Sequence, residues 1–159
     1  LAALPGVRAL GESPVMEEID GALRSAYLGL KPAKGSPDFI ALNYLPQLTG
    51  DGLRQAQRYF FDFLRVPAGE RHGLFLVNKN VFDFAYVGLI RLVFPDARLV
   101  HVRRDLRDVV LSMYFQDFQS VRFADRIEDI VRFAGLYARL MRHWRETLGM
   151  EMLEVDYEA

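Results

Sequence analysis

The strongest constraint on how this chain can fold lies in residues 94–114, from Phe94-Pro-Asp-Ala through Val-His-Val-Arg-Arg-Asp to Ser-Met-Tyr114. Residues 97–103 read as a buried strand that runs directly into a helix opening near Asp105. In open α/β sheets, ligands bind where strand ends feed helix starts. This junction carries Arg103, Arg104 and Arg107, so the expected ligand is anionic. Arg104, Asp108 and Ser112 recur every four residues, which puts them on roughly one side of the helix. A planar guanidinium with a hydroxyl nearby suits a phosphate group.

The rest of the chain repeats this alternation. Residues 1–13 predict a helix end, a Pro-Gly turn and a short strand closing at Gly11-Glu12. Ser13 and Pro14 predict a helix with Ser as N-cap and Pro at its first position. Residues 31–38 predict a loop and residues 39–48 a short helical piece. Residues 49–52, Thr-Gly-Asp-Gly, predict a break before an amphipathic helix over 53–64. Residues 74–77, Leu-Phe-Leu-Val, form a continuous apolar run, the pattern of a strand buried on both faces. Helices over 84–94, 105–118 and 125–148 and a last strand over 152–155 complete the pattern. In the long helix, Ile127, Ile130, Ala134, Tyr137, Met141, Trp144 and Leu148 make a single stripe that predicts core packing. Gly149 is the expected helix stop. The expected fold class is therefore α/β, with a parallel, doubly wound sheet.

Composition narrows the function classes. The length of 159 residues suits one domain. The hydrophobic fraction of 51% and charged fraction of 26% belong to an ordered globular chain. A net charge of -1 does not favour nucleic acid. No apolar run has the length of a membrane span, and residues 1–8 lack the pattern of a signal peptide. Cysteine is absent, which removes disulfides, thiolate metal sites and thiol nucleophiles and fits a cytoplasmic location. His72, His101 and His143 are scattered and predict neither a metal site nor a triad. The chain opens on Leu and ends in an unfinished strand-to-helix pattern, so a piece of a longer protein is expected.

The segment Arg104-Asp-Leu-Arg-Asp-Val-Val-Leu-Ser112 resembles the 3'-phosphate-binding segment of sulfotransferases that use 3'-phosphoadenosine 5'-phosphosulfate (PAPS). The resemblance implies that Arg104 and Ser112 hold the 3'-phosphate of this donor. Leu106 stands where many members have Pro, a position in the first helical turn where Pro is tolerated but not required. The segment Val77-Asn-Lys-Asn-Val-Phe82 resembles the Asn-Lys or Asp-Lys segment of the subgroup containing tyrosylprotein sulfotransferases and bacterial repeat-fused relatives. It implies that Lys79 stabilises the bridging oxygen and sulfuryl group during transfer. Val81 replaces a common Pro, and Asp83 a common Asn. Lysine is scarce, with Lys31, Lys34 and Lys79 against seventeen arginines, so its position after a strand is conspicuous. Gly11-Glu12 is similar to the Gly-Glu pair of the same subgroup, which implies a general-base role for Glu12. Tyr157-Glu158 is similar to a Tyr-Glu pair after the last strand of relatives, which implies that Tyr157 packs near the adenine.

The resemblance spans residues 5–157. It implies a three-layer parallel sheet related to the P-loop nucleotide-binding fold, here incomplete. It also implies a sulfotransferase domain fragment over 1–159, lacking the loop that wraps the 5'-phosphosulfate and the distal C-terminal segment. The Pro-x-Ser-Gly-Thr pattern of that loop does not occur in 1–159, so little turnover is expected from these residues alone. The implied reaction moves a sulfuryl group from PAPS to a hydroxyl or amine acceptor, small molecule or protein, without a metal. Residues 31–38, Tyr44 and the aromatic-rich residues 115–123 are candidates to line the acceptor pocket. Two other readings stay open at this point: a nucleotide-dependent phosphotransferase on a related fold, and a non-catalytic anion-binding α/β module.

Overall fold

The computed structural model describes residues 5–29, 41–116, 118, 122–148 and 152–157. The expected loop over 31–38 and the helix stop at Gly149 lie outside the described residues. The chain forms two compact units, residues 1–96 and residues 97–159.

In the first unit, strand β1 (Val7–Gly11) leads into helix α1 (Val15–Leu28). A 3-10 helix (Ala41–Gln47), helix α2 (Gly50–Phe63), strand β2 (Phe75–Asn78) and helix α3 (Val87–Val93) follow. β1 and β2 pair in parallel, with Val7 opposite Phe75 and Ala9 opposite Val77. Helix α1 buries Val15, Met16, Ile19 and Leu23, a stripe at helical spacing. They pack in one cluster with Tyr44, Ala56, Leu89 and Val93. Helices α1 and α2 approach closely at Gly52, where a Cβ would lie 2.1 Å from the Tyr27 hydroxyl oxygen. Phe60 and Phe94 rings pack with centroids 4.6 Å apart, and the Gln57 side chain donates to the Val93 carbonyl at 2.6 Å, satisfying the last turn of α3.

In the second unit, strand β3 (Leu99–Arg103) precedes helix α4 (Leu106–Tyr114), helix α5 (Ile127–Leu148) and strand β4 (Met152–Asp156). β3 and β4 pair in parallel, with Leu99 opposite Met152 and Arg103 opposite Asp156. Ile130, Met141 and Trp144 of the α5 stripe are buried, while Ile127 at its start is exposed. Phe123 and Phe133 stack at 4.2 Å between centroids.

The expected three-layer, P-loop-like sheet is not what forms. Among the described residues the ladders join β1 to β2 and β3 to β4, two separate two-stranded parallel sheets in a mixed α/β chain rich in helix. A strand belongs to a sheet only through its ladder hydrogen bonds, and those of β3 run to β4. The expected burial also differs. Phe75 on β2 is 69% exposed, and Val100 and Val102 on β3 are each 57% exposed. Two-stranded sheets leave strand faces and edges uncovered that a multi-stranded, two-sided sheet encloses.

Two helix starts differ from expectation for local reasons. Ser13 is not the cap of α1. Pro14 occupies that position with no side-chain capping bond, because Ser13 is held elsewhere by tertiary hydrogen bonds. Thr49, expected inside a break, caps α2 through its hydroxyl, which accepts from the Gly52 N–H at 3.2 Å. Gly50 and Gly52 thus form the first helical turn.

Tyr44, a candidate for the acceptor pocket, packs in the core cluster of the first unit. It is fully buried, and its hydroxyl donates to Asp20 Oδ1 at 2.7 Å. Arg24 Nε donates to the other Asp20 oxygen at 3.0 Å. Tyr44→Phe leaves that buried carboxylate oxygen without this donor, so a loss of roughly 1.5–3 kcal/mol is expected. Urea titration checks it against Tyr27→Phe, which removes only an exposed 3.4 Å contact with Thr49 and is expected to cost less than about 0.5 kcal/mol.

Candidate functional site

Four of the five expected site residues fall at the carboxyl ends of the parallel strands, Glu12 and Lys79 in the first unit and Arg104 and Tyr157 in the second, while Ser112 lies on α4. In the first unit the β1–β2 register shifts between Ala9 and Gly11, a bulge that re-aims the strand end. Gly11 has φ of 68°, a left-handed conformation that glycine adopts without strain. Its carbonyl accepts from the Lys79 N–H at 2.9 Å. This backbone tie sets Glu12 beside Lys79, and the two side chains form an ion pair. The pair is open to solvent, with the Lys79 side chain 70% and that of Glu12 61% exposed. A buried setting for Glu12, which would favour a base, is therefore not what the fold provides.

Asn78 and Asn80 flank Lys79. The Asn78 amide accepts from the Ser13 N–H at 3.2 Å and donates to the Ser13 carbonyl at 3.2 Å and to Asp83 Oδ2 at 2.8 Å. Asn80 Nδ2 donates to the same Ser13 carbonyl at 3.2 Å, and its Oδ1 accepts from the Phe82 N–H at 3.0 Å. Burial pushes the Asp83 carboxyl up to about 6, against the lowering effect of the Asn78 hydrogen bond and with help from the nearby Glu17 charge. Burial likewise raises Glu17, opposed by a hydrogen bond from Asn80. The sequence reading missed the structural roles of Asn78, Asn80 and Asp83. Its available signal was a pair of asparagines bracketing a lysine after a strand, residues that bond to loop backbone readily.

In the second unit the Tyr157 N–H donates to the Arg103 carbonyl at 2.8 Å, extending the β3–β4 ladder by one residue. This brings Tyr157 beside Arg104, whose guanidinium carbon lies 5.6 Å from the ring centroid. Stacked guanidinium and aromatic faces attract. Arg103 and Arg107 are engaged by carboxylates. Arg103 bonds Glu154 at 2.6 Å and Asp156 at 3.2 Å. Arg107 grips Asp105 with two nitrogens, at 3.0 and 2.6 Å. Asp105 also caps α4 by accepting from the Arg107 N–H at 2.8 Å. These bonds to Arg107, side chain first, hold the Asp105 carboxyl down at about 2. Arg103 and Arg107, both expected to face an anion, thus bind acids of the same unit. Ser112 is half-buried on α4.

Histidine His101 plays an internal part. Its Nε2 meets the Tyr137 hydroxyl, and its Nδ1 lies 3.5 Å from Glu154 Oε1. Among the described residues, no group of three or more His, Asp or Glu side chains is arranged to hold a metal ion. No described helix is long and apolar enough to cross a membrane.

A family model described as "Sulfotransferase family" matches residues 1–159. A protein of Aquifex aeolicus (strain VF5), described as an uncharacterized protein, is 31% identical over 154 residues, covering 93% of this chain. The chain spans 19% of that relative's length. No solved structure matches.

Asp83 makes the first unit pH-sensitive in a definite direction. Its folded pKa is raised from 3.8 to about 6, so folding favours the protonated form. The stability this contributes is fully present below about pH 4 and is lost as pH rises through about 6. Asp83→Asn keeps an acceptor for Asn78 and removes the buried charge. It is expected to raise the melting temperature above pH 7 by a few degrees and to leave it unchanged near pH 4. Melting curves across pH 4–8 check this.

Proposed function

Because the chain belongs to the sulfotransferase family, we propose that it supplies catalytic and donor-binding residues for sulfuryl transfer from PAPS to a hydroxyl or amine acceptor. The Asn-Lys and Gly-Glu segments favour the subgroup that resembles tyrosylprotein sulfotransferases. The observation that carries the reading is the meeting of Glu12 and Lys79, residues 67 positions apart, at the ends of adjacent parallel strands.

The donor supplies an activated sulfuryl group on a phosphate leaving group. In this reading, the Glu12 carboxylate takes the proton from the acceptor hydroxyl as the oxygen–sulfur bond forms. The bond from sulfur to the bridging oxygen breaks, and its electron pair leaves on the phosphate of adenosine 3',5'-bisphosphate. Lys79 places its ammonium against that oxygen as negative charge grows there. The ion pair of Glu12 with Lys79 is the resting arrangement. An anionic donor competes for Lys79 and frees Glu12 for the acceptor.

The donor set in the second unit fits a 3'-phosphorylated adenine nucleotide. Arg104 offers a guanidinium for the 3'-phosphate, Ser112 a hydroxyl, and Tyr157 an exposed ring face for the base. The reading as an arginine-only anion module is weakened by the carboxylates that engage Arg103 and Arg107.

Two measurements on the full-length protein test the reading. Glu12→Gln keeps shape and polarity and is expected to lower kcat by about 10²-fold, with nucleotide affinity nearly unchanged. An unaltered kcat rejects Glu12 as the base. Arg104→Ala is expected to weaken adenosine 3',5'-bisphosphate by roughly 1.5–3 kcal/mol and adenosine 5'-phosphate far less. Equal losses for both ligands in calorimetry remove Arg104 from the 3'-phosphate.

A further inference from the structure

Glu12 and Lys79 sit on different loops, and an exposed ion pair is a weak tie on its own. What joins the loops is a set of hydrogen bonds on either side of the pair. Gly11, before Glu12, accepts from the Lys79 N–H at 2.9 Å. Ser13, after Glu12, exchanges two bonds with the Asn78 side chain and accepts a third from Asn80. Residues 11 and 13 are thereby bound to residues 78, 79 and 80, with Glu12 and Lys79 between them.

We propose that Asn78 and Asn80 are positioning residues that hold the Glu12 loop and the Lys79 loop at one fixed separation. Only an amide serves at position 78. Its oxygen takes the Ser13 N–H, and its two hydrogens go to the Ser13 carbonyl and to Asp83, so the donors and acceptor are all used. A carboxylate of the same shape keeps the first bond, loses both donated bonds and sets a second negative charge against Asp83. Asp83 in turn accepts the other amide hydrogen, which fixes which end of the amide meets the Ser13 N–H and which the Ser13 carbonyl. Asn80 is locked by its own bond from the Phe82 N–H, so its amide group is presented to Ser13 in one orientation. The consequence for catalysis rests on the roles proposed above for Glu12 and Lys79; the clamp itself does not.

The test reads Lys79 directly. Pulse acetylation of the full-length protein, followed by mass spectrometry, reports the reactivity of Lys79, with Lys31 and Lys34 as references within the same chain. Glu12→Gln frees the amine and is expected to raise Lys79 labelling about threefold, the scale of an exposed ion pair. Asn78→Asp, which alters neither member of the pair, is expected to raise it at least about twofold, with labelling at Lys31 and Lys34 unchanged. Asn80→Ala is expected to act in the same direction, more weakly. The exchanged double variant Asn78→Asp with Asp83→Asn restores the contact between positions 78 and 83 but not the bond to the Ser13 carbonyl, and is expected to reverse the rise in labelling only in part. Nucleotide affinity is expected to be unchanged throughout, while Asn78→Asp lowers PAPS turnover about tenfold. Lys79 labelling that stays constant in both Asn78→Asp and Asn80→Ala overturns the proposal. Should Asn78→Asp fail to fold, Asn80→Ala, which keeps the hydrogen bond between Asn78 and Asp83, decides it. Labelling that responds while Lys79→Ala leaves turnover intact rejects the catalytic reading and leaves the clamp standing.

Discussion

The parallel ladder between Val7–Gly11 and Phe75–Asn78 is the contact on which the candidate chemistry depends. It closes a long loop, an entropic cost that grows slowly with loop length, and the apolar cluster of α1, α2 and α3 offsets it. The ladder ends in a bulge, and the Gly11 carbonyl continues it by one bond to Lys79. A strand end that stops pairing there would leave Glu12 and Lys79 on independent loops. Side-chain amides carry the pairing past the last ladder rung, where backbone geometry alone no longer can.

The second unit solves a related problem with charge. Glu154 on β4 receives Arg103 from the neighbouring strand and Arg145 from α5, and Asp156 adds a further contact to Arg103. These pairs are at least partly exposed and individually weak in water, but they converge on one strand end. The same strand end holds Tyr157 to the β3 backbone and against Arg104. Arg103 and Arg107 bind acids of the protein, and the Arg104 guanidinium also lies over the Tyr157 ring.

Local signals in the sequence were reliable where a short segment answers to its own chemistry. The strands near residues 7–11, 75–78, 99–103 and 152–156 and the helices that follow them are legible from apolar runs and helical spacing. The α5 stripe packs as its spacing implies at Ile130, Met141 and Trp144. The signals failed where a distant partner competes. Ser13 is a good capping residue by type, but Asn78 and Asn80 occupy its backbone groups. Tyr44 is an aromatic with a polar tip, equally suited to a pocket wall, and Asp20 draws it into the core. The apolar runs on β2 and β3 promised burial on both faces, yet Phe75, Val100 and Val102 are exposed, because burial depends on what pairs with and covers a strand.

By itself the sequence determined the order of elements, the strand-to-helix junction at Arg103–Leu106, the identity of Glu12, Lys79, Arg104, Ser112 and Tyr157 as candidates, and a resemblance borne out at the level of the family. The order of elements and the junction follow from apolar runs and residue type, and the candidates from short segments that resemble those of the family; all are local properties. Only the tertiary structure decided which strands pair, that the described strands form two separate sheets of two, that Glu12 meets Lys79 and Arg104 meets Tyr157, and that Asn78 and Asn80 bond Ser13 beside the first of these pairs. Each of those is a choice among partners far apart in the chain. The hydrogen-bonding capacity of an asparagine or the charge of an arginine is written in its side chain, but which partner uses it is set by what folding brings within about 3 Å.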